Sequence, residues 1–102
     1  MYLLREDMYN EWSWENGATD IICLSNNAEK IKKKLQEKLD EYKSRDYIIE
    51  FYRDDTTLLE QIKRIKGKGT SAVYIDIYVD EYDYANGKNM ATFVVSDEKI
   101  VE

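Results

Sequence analysis

Residues Val73–Asp80 read Val-Tyr-Ile-Asp-Ile-Tyr-Val-Asp, a strict alternation of branched apolar residues with tyrosine or aspartate. Side chains along a strand point alternately to the two faces of a sheet. This segment therefore predicts a strand with Val73, Ile75, Ile77 and Val79 toward a core, and Tyr74, Asp76, Tyr78 and Asp80 in a row on the opposite face. The Asn86-Gly87 pair that follows tolerates positive φ, and predicts a hairpin return to a strand over Ala91–Ser96. The same signal, Asn16-Gly17, lies between the Trp12/Trp14 segment and Thr19–Leu24. Tyr2–Arg5 and Tyr47–Tyr52 complete a set of four to six strands.

Two helices are expected between them. Ala28, Ile31, Leu35, Leu39 and Tyr42 recur at helical spacing while lysines and glutamates fill the remaining faces, and Asn26 with Glu29 three residues on resembles a capping box. A second helix is predicted from about Thr57 to Lys66, with Leu58, Leu59, Ile62 and Ile65 on one side. Asp54 and Asp55 precede it and Gly67 follows at the C′ position. The order β-β-α-β-α-β-β gives an α+β fold: a four- to six-stranded, mostly antiparallel sheet with both amphipathic helices packed on one face and the other face partly open. The chain has no proline and no linker-like tract, so residues 1–102 read as a single compact domain.

Composition narrows the function more than it names it. The chain has 102 residues, of which 21 are acidic and 15 basic, for a net charge of −6. A net negative charge repels nucleic acid and anionic membrane, and suits a basic partner. The segments 27–45 and 62–72, which hold the expected helices, are locally positive, so the acid is concentrated on strands and loops. With no histidine, the commonest general base and metal ligand is missing. The single Cys23 permits no intrachain disulfide and no thiolate zinc site. In the apolar run Ile21–Leu24 it reads as a small packing residue and not as a nucleophile. Residues 1–8 lack the basic and apolar regions of a signal peptide, and no run approaches the length of a membrane span, so a cytoplasmic location is expected.

The motifs that invite chemistry do not complete it. Lys66–Ser71 (Lys-Gly-Lys-Gly-Thr-Ser) looks like a phosphate loop, but it runs from a helix end into a strand, and a lysine precedes its second glycine. Asp76, Asp80, Glu81 and Asp83 are a carboxylate cluster, yet the spacing before Gly87 is not that of a calcium loop. Glu41-x-Lys43, the one pair of the type used by metal-dependent nucleases, falls at the end of the first helix and not on a strand. No enzyme activity, cofactor or metal is expected.

The residues left for binding are aromatic and acidic. Trp12 and Trp14 would share one face of an extended segment, either as a lid over the core or as an interface anchor. Tyr74, Asp76, Tyr78 and Asp80, continued by Glu81, Tyr82, Asp83 and Tyr84, suit an arginine- and lysine-rich protein surface through charge-assisted hydrogen bonds and cation–π contacts. They suit equally the second face of a homodimer, or a solvated strand face in which tyrosine is simply a good strand former.

A short acidic α+β chain with the Tyr-Asp-Tyr-Asp row Tyr74–Asp80, the run Asp80–Tyr84 and Asp54-Asp55, and without histidine or proline, resembles the small acidic inhibitors that phages and mobile elements direct at host defence. Anti-CRISPR and DNA-mimic anti-restriction proteins are of this kind. The resemblance implies that carboxylates stand in for phosphates in the basic channel of a nucleic-acid-binding effector, with affinity that falls as salt rises. On an ideal strand, alternate carboxylates would repeat at about 6.6–7 Å. The alternative is a small homodimeric structural or accessory protein.

Overall fold

The computed structural model describes residues 1–9, 16–52, 57–65 and 72–98, with the backbone alone at 16 and 17. Five strands and three helices follow in the order β1 (Tyr2–Tyr9), β2 (Asn16–Ser25), α1 (Ala28–Ser44), β3 (Ile48–Phe51), α2 (Leu58–Arg64), β4 (Val73–Tyr78), α3 (Glu81–Ala85) and β5 (Ala91–Asp97). The strands form one sheet in the order β2-β1-β5-β4-β3, antiparallel throughout. The fold is α+β, as the patterning predicts. Among the described residues no helix is long and apolar enough to cross a membrane.

Alternation and helical spacing meet in one core. Leu4, Ala91, Phe93, Val95, Val73, Ile75 and Ile77 from the sheet pack with Ala28, Ile31, Leu35, Leu39 and Tyr42 of α1 and Ile62 and Ile65 at α2. Those five α1 residues are the ones that the spacing selects, because positions three and four apart share a helix face. Leu58 and Leu59 are partly buried against the same cluster, as are Ile22 and Cys23 of β2. Cys23 is a free thiol of intermediate exposure.

One carboxylate breaks the apolar pattern. Glu6 of β1 is only 4% exposed, and the Tyr42 hydroxyl donates to its Oε2 at 2.5 Å. The Tyr42 ring also stacks on Tyr47 and meets Phe93 edge-on. Burial first, then the hydrogen bond to Glu6 and its charge, holds the Tyr42 phenol well above the ordinary tyrosine range.

Three local expectations are corrected. The N-cap of α1 is Asn27 and not Asn26: the Asn27 side chain accepts from the backbone N–H groups of Glu29 and Lys30. Asn27→Ala is therefore expected to cost about 1 kcal/mol in urea unfolding, while Asn26→Ala stays within experimental error. Equal losses would refute the assignment. The second helix is shorter than drawn, capped by Thr57 and ending at Arg64. Asp54, Asp55 and Lys66–Ser71 lie outside the described residues, as do Trp12 and Trp14.

The third correction concerns the run after β4. The strand stops at Tyr78, Val79 is exposed and not in the core, and Asp80 leaves the strand row to cap α3. Its carboxylate accepts from the Asp83 N–H at 2.8 Å, and Glu81 and Asp83 in the first turn complement the helix dipole. The expected hairpin return to β5 is made, through a longer connection with a helical turn in it. Gly87 ends that turn at φ 67°, the positive value that the Asn86-Gly87 pair predicts.

Candidate functional site

With α1 and α2 on one face, the other face of the sheet carries the alternate side chains. Register decides which of them meet. Asp7 of β1 lies opposite Thr19 of β2 on one side and Thr92 of β5 on the other. Thr92 lies opposite Asp76 of β4, and Asp76 opposite Glu50 of β3. Thr19, Asp7, Thr92, Asp76 and Glu50 therefore form one rank that crosses all five strands, with neighbours about 5 Å apart. The carboxylates are aligned, but across the strands and not along one.

A cleft of about 510 Å³ lies over the middle of this rank. Arg5, Asp7 and Tyr9 form one side, Tyr52, Tyr74 and Tyr78 the other, and Asp76, Thr92 and Val94 also line it, with Gly87 and Asn89 from the connection after α3. Asp76 is only 5% exposed. Its Oδ1 accepts from Thr92 Oγ1 at 2.6 Å and from Asn89 Nδ2 at 3.1 Å, and its Oδ2 from the Tyr52 hydroxyl at 2.5 Å. Thr92 Oγ1 in turn accepts from the Tyr9 hydroxyl and from Asn89. The network clamps β1, β4, β5 and Tyr52 together at one point.

The two aspartates are compensated differently. Asp7 accepts from Thr19 Oγ1 at 2.9 Å and pairs with Arg5 Nε at 3.3 Å. Asp76 has three neutral donors and no cation among the described residues, and Glu50 directly across from it has no ion pair there either. Like charges placed opposite one another on a sheet are unfavourable. Their effect reaches the nearby phenols. The hydrogen bond to Asp76, then burial, raises Tyr52 well above the ordinary tyrosine range. Burial, then the charges of Asp76 and Glu50, raises Tyr78.

Of the residues singled out in the sequence, Tyr74, Asp76 and Tyr78 come together in the cleft. Asp80 is a helix cap, and Glu81, Tyr82 and Asp83 are on α3, outside the cleft lining. Tyr82 is the most exposed of the large hydrophobic residues among those described, at 75%. Tyr84 turns back to pack edge-on against Tyr78. Sequence reasoning missed Arg5, Asp7, Tyr9, Glu50, Tyr52, Asn89 and Thr92. Alternation through Arg5-Glu6-Asp7-Met8-Tyr9 was the available signal for three of them.

The arrangement provides carboxylate and phenol oxygens against aromatic rings, a chemistry suited to binding a cation. Among the described residues no three of His, Cys, Asp and Glu gather as metal ligands. No protein-family model, curated protein or solved structure matches the chain.

Proposed function

We propose that this chain is a non-enzymatic, cytoplasmic interaction protein that docks a basic surface of a protein partner on the open face of its sheet. The observation that carries this reading is the Asp76–Glu50 pair, which has no cation among the described residues, beside a tyrosine-lined cleft. Two like charges held face to face are unfavourable in the free protein and become favourable when a cation arrives. A net charge of −6 steers such a partner in. The biological setting proposed is inhibition of a host nucleic-acid-binding defence effector by a phage or mobile element. The partner's basic channel would then meet the rank Asp7–Asp76–Glu50.

The test is affinity capture from bacterial cytoplasmic extract, comparing the wild type with Glu50→Gln and adding duplex DNA as competitor. A nucleic-acid-binding protein that is retained by the wild type, lost with the variant and displaced by DNA or salt supports the reading. Retention that is indifferent to Glu50, DNA and salt overturns it. A second reading, a homodimer, is favoured by the β2 edge of the sheet. That edge carries Asp20 alone as a charge, and its Ile21 and Leu24 are exposed. Recovery of the protein's own chain and nothing else selects it.

A further inference from the structure

Asp76, Glu50 and the tyrosines beside them differ from an ordinary acidic patch in one respect. Tyr78 is only 6% exposed and lines the cleft, yet its hydroxyl has no hydrogen-bond partner among the described residues. A phenol oxygen both donates and accepts, and a buried one left without a partner is costly. This phenol stands near enough to Asp76 and Glu50 to be raised by both charges. In the same cleft, Tyr52 and Tyr74 present rings 6.0 Å apart and tilted by 35°. One end of the cleft therefore combines the buried Asp76 carboxylate, an unfilled phenol oxygen and exposed aromatic faces, with Glu50 opposite Asp76 on the neighbouring strand.

The other end shows what fits such surroundings. Asp7 belongs to the same rank, and the fold neutralises it with a guanidinium, that of Arg5, through the contact of Arg5 Nε with Asp7 Oδ2. Asp76 and Glu50 have no such partner within the described chain. A guanidinium is planar, presents several N–H donors in a fixed fork and stacks on aromatic faces. An ammonium is a compact and strongly hydrated point charge. Carboxylates at facing positions of adjacent strands, with rings beside them, favour the fork.

We infer that this end of the cleft is an arginine-recognition subsite. In it, the guanidinium of one arginine from a protein partner donates to Glu50 and to the Tyr78 hydroxyl oxygen, lies over the buried Asp76 charge and stacks on Tyr74. The inference rests on the proposed docking of a basic protein and adds the residue type that anchors it.

The experiment is an NMR titration of the protein, following tyrosine ring and backbone amide resonances, with N-acetyl-arginine amide, the lysine equivalent and the uncharged citrulline equivalent. Arginine is expected to bind at least about threefold more tightly than lysine, with shifts confined to Tyr52, Tyr74, Tyr78 and their strand neighbours, and citrulline to give none. Glu50→Gln should weaken arginine binding about fivefold, and Tyr78→Phe about threefold, while both variants keep the wild-type amide spectrum away from the cleft. Equal affinity for arginine and lysine, or an arginine response indifferent to Glu50, overturns the subsite. If arginine amide fails here while extract capture still returns a Glu50-dependent basic protein, the subsite alone falls. If both fail, the docking reading falls with it.

Discussion

Tyr42→Phe is expected to lower the unfolding free energy by about 2–4 kcal/mol, because it removes the donor of a hydrogen bond to a buried carboxylate and leaves that carboxylate in an apolar core. The phenyl ring keeps the stack on Tyr47 and the edge contact with Phe93, so lost packing contributes little. The loss belongs to Glu6, which is 4% exposed and has no other hydrogen bond among the described residues. Replacing both partners with apolar groups, as Glu6→Leu with Tyr42→Phe, should restore most of the stability, since no orphaned charge remains. A urea-unfolding double-mutant cycle measures this. Single and double variants that are equally unstable would show that the pair is not coupled.

The same pair sets the alkaline behaviour. The folded protein holds the Tyr42 proton more tightly than the unfolded chain does. Its contribution is therefore complete below about pH 10, the ordinary tyrosine value, and is lost as the pH climbs toward the higher folded-state value. Above pH 10 the wild type should lose stability more steeply than Tyr42→Phe. A parallel pH dependence of the two would contradict the assignment.

Asp76→Ala is the second large effect, and here two terms oppose. Removing the carboxylate relieves the repulsion with Glu50, worth about 0.2–1 kcal/mol for a cross-strand pair. It also deprives Tyr52, Asn89 and Thr92 of an acceptor. Hydrogen bonds to a charged group are worth about 1.5–3 kcal/mol each where buried, and the exposed Tyr52 and the half-buried Asn89 can turn to water. The lost acceptors win, and a net destabilisation of about 2–3 kcal/mol is expected in urea unfolding. Glu50→Gln has the opposite sign: it relieves the same repulsion without breaking a hydrogen bond among the described residues, and should stabilise slightly. Opposite signs for two neighbouring carboxylates would separate a structural acid from a binding one. A stabilising Asp76→Ala would mean that repulsion dominates the rank.

How legible these features were depended on whether they are local. The α1 face from Ala28 to Tyr42 and the β4 alternation are repeats within one element; the first appears in the structure at every residue the pattern selects, the second from Val73 to Tyr78. The capping residues were less legible. Asn26 and Asn27 are adjacent and chemically identical, and the choice between them depends on backbone angles that a sequence does not display. Asp80 satisfied two patterns at once, the next outward position of a strand and the cap of a helix. The cap prevailed because its carboxylate finds the Asp83 N–H three residues on.

The site was half legible for a related reason. Tyr74, Asp76 and Tyr78 follow from alternation alone. Asp7, Thr92 and Glu50 join them only through register between strands far apart in the chain, which no local pattern encodes. Arg5-Glu6-Asp7 obscured the rest. The expected strand ends at Arg5, whereas β1 runs on to Tyr9 and Glu6 is turned into the core against Tyr42.

The strand order has a kinetic consequence. Its two parts, β1–β2 and β3–β4–β5, meet only where β1 pairs with β5, a seam that joins Tyr2 to Asp97 and Asp7 to Thr92. Contacts between the two ends of a chain incur most of the loop-closure entropy and tend to form slowly. The cleft straddles that seam, with Arg5, Asp7 and Tyr9 on one side and Asp76 and Tyr78 on the other. Neither part holds a complete cleft before the seam zips. A chain emerging from the ribosome would thus complete this cleft only when β1 and β5 pair, and a partially folded chain would present only half of it.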